Sequence, residues 1–208
     1  MSAFISTIRP ASIFTIIAGT VLFAGTARAA TTLQNMQAAF QGESNAHTRY
    51  LAFATHADKE GYGEVASLFR AAARAEQIHA NNHAAVIKEL GGTPTANIET
   101  PSVKSTRENL EAAIKGETYE RDTMYPEFLK QARADKNKSA IKSLNFAKTA
   151  EGEHAKLYAA ALNGLDGLKN TRAMTYYVCP KCGFTARSIT FEKCPSCFTP
   201  KEQFEKIS

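Results

Sequence analysis

The sequence predicts an all-α bundle of four antiparallel helices with one long crossover, followed by a small domain organised by cysteines. Three observations predict it. Four alanine-rich stretches are punctuated by short turn signals, and a connection without helical period lies between the second and third. All four cysteines fall between residues 179 and 197. The 208 residues are 44% hydrophobic and 22% charged, the balance of a globular chain long enough for one medium domain and one small one. Net charge is +5, but the basic residues are interleaved with acids. No Lys/Arg stripe with aromatics between its members is present, so no nucleic-acid partner is expected.

Residues 1–29 read differently from the rest. Arg9 precedes an uncharged run from Ala11 to Ala27 that contains Ile13, Phe14, Ile16, Ile17, Val21, Leu22 and Phe23. The run ends in Ala27-Arg28-Ala29, a small-x-small pattern that suits signal peptidase. Thr15, Gly19, Thr20 and Gly25 interrupt it, and it is short for a membrane span, which needs ~20 residues. A signal peptide over 1–29 is expected, cleaved near Ala29/Ala30, with a periplasmic or otherwise exported product rather than a membrane-anchored one.

The first helix is predicted from about Leu33 to Lys59, where Gly61-Tyr62-Gly63 signals a turn. The second runs from about Glu64 to Leu90 and stops at Gly91-Gly92, with Pro94 just beyond. From Gly91 to about Lys104 the chain is a Gly/Thr/Pro-containing connection. Ser105 and Glu108 then form an S-x-x-E capping box that opens the third helix. That helix reaches about Ala134, and Pro126 inside it is predicted to kink it by removing a hydrogen bond. The fourth runs from about Ser139 to Leu162 and ends at Asn163-Gly164. Short turns make two hairpins, and the long connection crosses between them. The bundle occupies 30–165 and the cysteine domain 173–208.

The hairpins repeat weakly. Gly42-Glu43 answers Gly116-Glu117, and Ala75-Glu76-Gln77-Ile78-His79 answers Ala150-Glu151-Gly152-Glu153-His154. Glu43 and Glu76 are 33 residues apart, Glu117 and Glu151 34. Phe69 and Leu144, then Ala72 and Ala147, fall at equal distances before the second glutamate of each half. A duplicated hairpin is the natural reading.

Residues three apart share a helix face. Glu76 with His79, Glu117 with Glu120, and Glu151 with His154 therefore each aim two side chains in one direction, and Glu43 adds one more. Burying so many carboxylates unpaired costs several kcal/mol each, so cations must neutralise them. A Glu from each of two helices plus Glu-x-x-His from each of the other two is the ligand set of di-iron and di-manganese bundles. A lone E-x-x-H is usually solvated surface, but here it occurs twice, at matching places of a repeat. Gly42 and Gly116 each cost about 1 kcal/mol inside a helix, which is understandable where helices pack closely around a site. His47 and His83 lie one turn beyond Glu43 and His79, as ligands, as supports to ligands, or as polar ends of the core. His56 and Glu153 read as surface. Tyr50 and Tyr125 lie in phase to hydrogen-bond ligand carboxylates, or else they are core tyrosines.

The cysteines form two C-x2-C knuckles, Cys179-Pro-Lys-Cys182 and Cys194-Pro-Ser-Cys197. Such pairs make a tetrahedral four-sulfur site for iron or zinc. An exported protein favours disulfides, but paired knuckles in so short a domain, with Gly183 after one of them, favour metal.

These residues together resemble rubrerythrin. The resemblance rests on Ala39 to Tyr50, on Phe69-Arg70 through His79, and on Gly116-Glu117-Thr118-Tyr119-Glu120 with Met124-Tyr125-Pro126. It also rests on the tail from Tyr177 to Ile207, with its Cys-Pro-x-Cys knuckles, Pro200 and Phe204, which resembles a rubredoxin domain. The resemblance implies an all-α four-helix ferritin-like bundle and a small C-terminal rubredoxin-like domain with a four-cysteine metal site. It implies di-iron ligands at Glu43, Glu76, His79, Glu117, Glu120, Glu151 and His154, and one iron, or a zinc, on Cys179, Cys182, Cys194 and Cys197. The implied activity is a peroxidase of oxidative-stress defence that reduces hydrogen peroxide to water, with electrons delivered through the rubredoxin-type iron. In such a protein Glu120 exchanges with His79 as one iron changes oxidation state. A homodimer is implied, with one subunit's cysteine domain near the other's di-iron site. A signal-like segment is unusual for this mostly cytoplasmic family, and away from the NAD(P)H pool the electron donor is unidentified. The competing function is a ferroxidase or other iron-handling protein, for which the cysteine domain has no role. A third makes the cysteine domain a zinc ribbon for protein contact.

Overall fold

The computed structural model describes Met1 and residues 30–208; the signal-like segment falls outside the described residues. Helix α1 (Thr32–Lys59) opens on a reciprocal cap in which Thr31 and Gln34 bond each other's backbone N–H. It stops at Gly61, whose φ of +80° places it in the left-handed region, and α2 (Gly63–Glu89) returns beside it, ending before Gly91 at φ +78°. The crossover then runs back along α1, held by its amide side chains. Gln41 exchanges bonds of 2.6 and 2.7 Å with Asn97, and Asn45 Oδ1 accepts from Glu99 N–H at 2.8 Å. Helix α3 (Thr106–Tyr119) begins at the Ser105/Glu108 box that the sequence announces.

The kink expected at Pro126 takes another form. Between α3 and α4 (Tyr125–Ala134) the helix widens into a π turn, Glu120–Met124, closed by Tyr125 N–H donating to the Glu120 carbonyl. Pro126 falls in the first turn of α4, directly after the widened turn. Helix α5 (Lys138–Asn163) completes the bundle from an Asn137 cap.

The core has layers. One apolar cluster holds Tyr50, Phe53, Phe69, Leu110 and Tyr158, and the other holds Met36, Ile87, Tyr125, Leu129 and Leu144. Each large side chain contributes about 1.5–3 kcal/mol on burial. Between the clusters, α1, α2, α3 and α5 pass through one polar layer: Glu43, then Glu76 and His79, then Glu117, then Glu151 and His154, all buried. Gly42 and Gly116 are not there to let helices touch. Among the described residues, a Cβ at Gly42 would meet nothing within 4 Å, and at Gly116 only Arg49 and Tyr50 at 3.9 and 4.0 Å.

The cysteine domain is a small antiparallel sheet in the order β2-β1-β3, from β1 (Tyr176–Val178), β2 (Thr185–Ala186) and β3 (Glu205–Ile207). Each knuckle closes by the same bond: Gly183 N–H to Cys179 O at 2.9 Å, and Phe198 N–H to Cys194 O at 3.0 Å. The residue after each knuckle has positive φ, +75° at Gly183 and +61° at Phe198. The sheet docks on α2 through a two-pronged Arg74–Glu205 pair at 2.6 and 2.8 Å and Arg187–Glu64 at 2.8 Å. The connection from α5 is pinned to the α1–α2 turn, Asn170 N–H to Gly61 O at 2.7 Å and Gly63 N–H to Thr171 O at 3.2 Å. No helix among the described residues is long and apolar enough to cross a membrane.

Candidate metal centres

In the polar layer, Glu43, Glu76, His79 and Glu151 offer ligand atoms that all lie within 4.8 Å of one another, and so do Glu76, Glu117, Glu151 and His154. Glu76 and Glu151 belong to both groups, the position from which a carboxylate bridges two ions. His79 Nδ1 lies 2.8 Å from Glu76 and 3.1 Å from Glu151; His154 Nδ1 lies 3.2 and 3.0 Å from the same two. Yet Glu43 Oε2, Glu76 Oε1, Glu117 Oε2, both Glu151 oxygens and His154 Nδ1 have no hydrogen-bond partner among the described residues. Buried polar atoms left this way are costly. They converge on a small volume without satisfying one another, and a pair of cations would satisfy them all.

The charges tell the same story. Burial, then the charges of Glu120, Glu76 and Glu151, push the Glu43 carboxyl well above its usual range. Burial and Glu76 push Glu117 to about 7. Burial works against Glu76 too, but His154 and His79 draw it below the usual range. Burial likewise opposes charge on the imidazoles; Glu151 and Glu76 nevertheless raise His79, and Glu76, Glu117 and Glu151 raise His154. Without metal the site thus holds itself together with protons.

The tyrosines cross between halves: Tyr50 OH donates to Glu117 Oε1 at 2.6 Å, and Tyr125 OH donates to Glu43 Oε1. His83 supports this network, with Nδ1 2.8 Å from Ser143 Oγ and Nε2 3.2 Å from Tyr125 OH. Burial and His79 push it down to about 3, so it is neutral. His47 is outside the ligand groups, its Nδ1 2.7 Å from the Ala73 carbonyl. His56 and Glu153 pair on the surface with Glu60 and Lys156, at 3.4 and 3.1 Å. Glu120 differs from expectation. It is half-buried and belongs to neither ligand group, although its N–H still bonds Gly116 O as in an α-helix and the π turn begins only at this residue. Its charge still reaches Glu43.

Ser143 and Tyr158 were readable in principle, since 143, 147, 151, 154 and 158 share one face of α5. Tyr158 OH is buried without a partner among the described residues.

The four cysteines are free and buried. Cys179 and Cys197 sulfurs are 3.4 Å apart and Cys182 and Cys194 3.5 Å, far longer than a disulfide. A tetrahedron of sulfurs about 2.3 Å from a metal has edges of roughly 3.8 Å, so these spacings suit one ion. The loop beyond Cys182 lies directly on the bundle site. His79 Nε2 is 3.0 Å from Cys182 O, and His154 Nε2 is 3.0 Å from Thr185 Oγ1. A Cβ at Gly183 would come within 2.2 Å of His79 Nε2, so only glycine permits this approach. The dimer implied by resemblance puts the cysteine domain by a partner's site; here it covers the site of its own chain.

A rubrerythrin family model matches residues 34–162. Nigerythrin of Nitratidesulfovibrio vulgaris is 37% identical over 201 residues, 96% of each chain. Rubrerythrin-2 of Clostridium acetobutylicum is 36% identical over 177 residues, 85% of this chain and 96% of that one. The solved structure of fully reduced, all-ferrous nigerythrin superposes with a TM-score of 0.79 at 36% identity, covering 95% of this chain and 98% of that one. A bacterioferritin of Desulfovibrio desulfuricans shares the bundle fold, with a TM-score of 0.63 at 23% identity over 68% of this chain and 88% of its own. With its Glu/His di-iron site and its four-cysteine site for a rubredoxin-type iron, the chain belongs to the rubrerythrin family.

Proposed function

We propose that this protein is a peroxidase, reducing hydrogen peroxide to water at the bundle site with electrons that enter through the cysteine-held iron. Its family is one of di-iron oxidative-stress proteins. The observation that carries the reading is the 3.0 Å contact of His79 Nε2 with Cys182 O, which leaves one imidazole and one peptide between the two metal centres. When bound, the two irons supply the pair of electrons that cleavage of a peroxide O–O bond consumes. Glu43, Glu76, Glu117, Glu151, His79 and His154 would hold them, with Glu76 and Glu151 bridging. Glu120, poised beside the layer, would join as a further carboxylate in the oxidised state, where the greater positive charge favours it over imidazole.

Each peroxide also consumes two protons, and the site is buried. The hydrogen bonds here run inward: Tyr125 donates to Glu43, His83 Nε2–H can donate to Tyr125, and Ser143 OH can donate to His83 Nδ1. Ser143 lines a cavity of about 180 Å³ open to solvent beside Asn82, Lys142 and Lys181. This row of groups supports proton entry on the side away from Tyr50.

The ferroxidase reading uses the same bundle but gives the cysteine domain nothing to do. Anaerobically reduced protein mixed with peroxide or with dioxygen separates the two. Peroxide should oxidise the bundle irons faster, and Cys194→Ser protein loaded to full bundle iron should react once with peroxide but fail to turn over with an external donor. Faster oxidation by dioxygen, with iron retained beyond the bound pair, would favour ferroxidase.

A further inference from the structure

The cysteine loop reaches the bundle site at two atoms, and the second is the more informative. Thr185 in β2 is fully buried, with its hydroxyl 3.0 Å from His154 Nε2. A hydroxyl has one proton, and this one is donated to Gly183 O at 3.0 Å. Only lone pairs therefore face His154, which must present Nε2–H. That turns Nδ1 to Glu76 and Glu151, at 3.2 and 3.0 Å, as the atom whose lone pair a metal would take on displacing its proton. Cys182 does the same for the other imidazole. A carbonyl can only accept, so His79 also keeps a proton on Nε2 and turns Nδ1 to the carboxylates.

Both acceptors come from a single four-residue stretch, Cys182–Thr185, whose first residue is one of the four clustered cysteines. The stretch is tied into the knuckle by Gly183 N–H to Cys179 O and Cys179 N–H to Phe184 O, each 2.9 Å. From knuckle to Thr185 to His154 the hydrogen bonds are continuous.

We propose that Thr185 is a positioning residue for His154, and that through Thr185 and Cys182 the filling of the cysteine site strengthens metal binding in the bundle. A metal on four thiolates orders the loop that carries them. An ordered loop holds both imidazoles in the tautomer and direction that ligation requires, so less ordering remains for the second binding event. Coupling of this kind is reciprocal: metal in the bundle must tighten the cysteine site by the same factor. Outer partners of ligating histidines are worth 10–100-fold in metal affinity. The proposal rests on His79 and His154 being ligands and not on peroxide as substrate.

Cobalt(II) titration of the metal-free full-length chain tests it, since thiolate charge-transfer bands report the cysteine site apart from the bands of an N/O site. Thr185→Val keeps the shape and removes the hydroxyl; bundle affinity should fall about tenfold or more, while the thiolate spectrum stays. Thr185→Ser should restore it, which packing alone would not do. Cys194→Ser, which dismantles the four-sulfur site, should weaken bundle cobalt in the same direction. Wild-type affinity in Thr185→Val, equal weakening in Thr185→Ser, or indifference of the bundle to Cys194→Ser would each overturn the proposal. His154→Ala tests the premise separately: bundle cobalt retained in full would remove His154 as a ligand whatever the peroxide reactivity.

Discussion

The two hairpins of the bundle are near copies, and their one-residue difference is local. In the first, Tyr50 follows Glu43 by seven residues; in the second, Tyr125 follows Glu117 by eight. Yet both tyrosines arrive at equivalent places, each donating to the glutamate of the other half. The extra residue is absorbed between Glu117 and Tyr125, where the helix adopts the π turn Glu120–Met124 with its five-residue hydrogen bond. This same residue accounts for glutamate spacings of 33 and 34. The insertion brings an unpaired function with it. The place three residues after Glu43 is buried Ala46, while the place three after Glu117 is Glu120. A symmetric cage for two ions has thus acquired one asymmetric carboxylate, at the point where the α-helix gives way to the π turn.

Three measurements would break or sharpen that comparison. The largest effect is expected at the shared ligands. Glu76→Ala or Glu151→Ala should lose bundle iron by metal analysis, whereas Glu43→Ala and Glu117→Ala, each belonging to one ligand group, should weaken it to similar extents. Unequal loss at Glu43 and Glu117 would show that the halves are not equivalent as cages.

Next is Glu120→Ala, expected to keep near-normal iron but to react with peroxide roughly tenfold or more slowly, about 1.4 kcal/mol in barrier. The cause is loss of a carboxylate from the more highly charged oxidised state. Iron loss equal to that of Glu76→Ala would make Glu120 an ordinary ligand.

The smallest effect concerns metal-free protein. Glu43, Glu117, Glu120, His79 and His154 all have folded pKa values above their unfolded ones, so their protonated forms favour folding. That stability is present at low pH and disappears as pH rises through the folded values, near 7 for Glu117. His83, held at about 3, works the opposite way below its usual range. The larger group should win: Tm of the metal-free chain should fall by several degrees between pH 5.5 and 8, and metal should abolish the fall. A rising Tm over that range would contradict the charge balance described for the polar layer.

Much of this was legible in the sequence because helical phase is a strong signal. Capping at Ser105/Glu108, termination at Gly91, and the Glu/His faces of α2 and α5 all follow from spacing of three and four. The same rule put Glu120 beside Glu117, whose charge acts on it, but could not find the π turn that begins there, since it assumes an α-helix on both sides. The Gly42 and Gly116 expectation failed for a different reason: a glycine's propensity cost says nothing about which neighbour faces it. Thr185 gave no signal at all. Its importance depends on how one domain sits on the other, and neither helical nor strand periodicity encodes that.

The pinned connection between α5 and β1 has a kinetic meaning. Only residues 164–175 join the two domains, and Asn170 and Thr171 are tied to Gly61 and Gly63 at the opposite hairpin turn. A tether so short and so anchored fixes the cysteine centre's local concentration at its own bundle, and dilution cannot lower it. On the proposed relay, transfer between the centres of one chain would therefore be a first-order event. Its rate should be the same at nanomolar as at micromolar protein, and only the meeting with the outside donor should depend on how much of either is present.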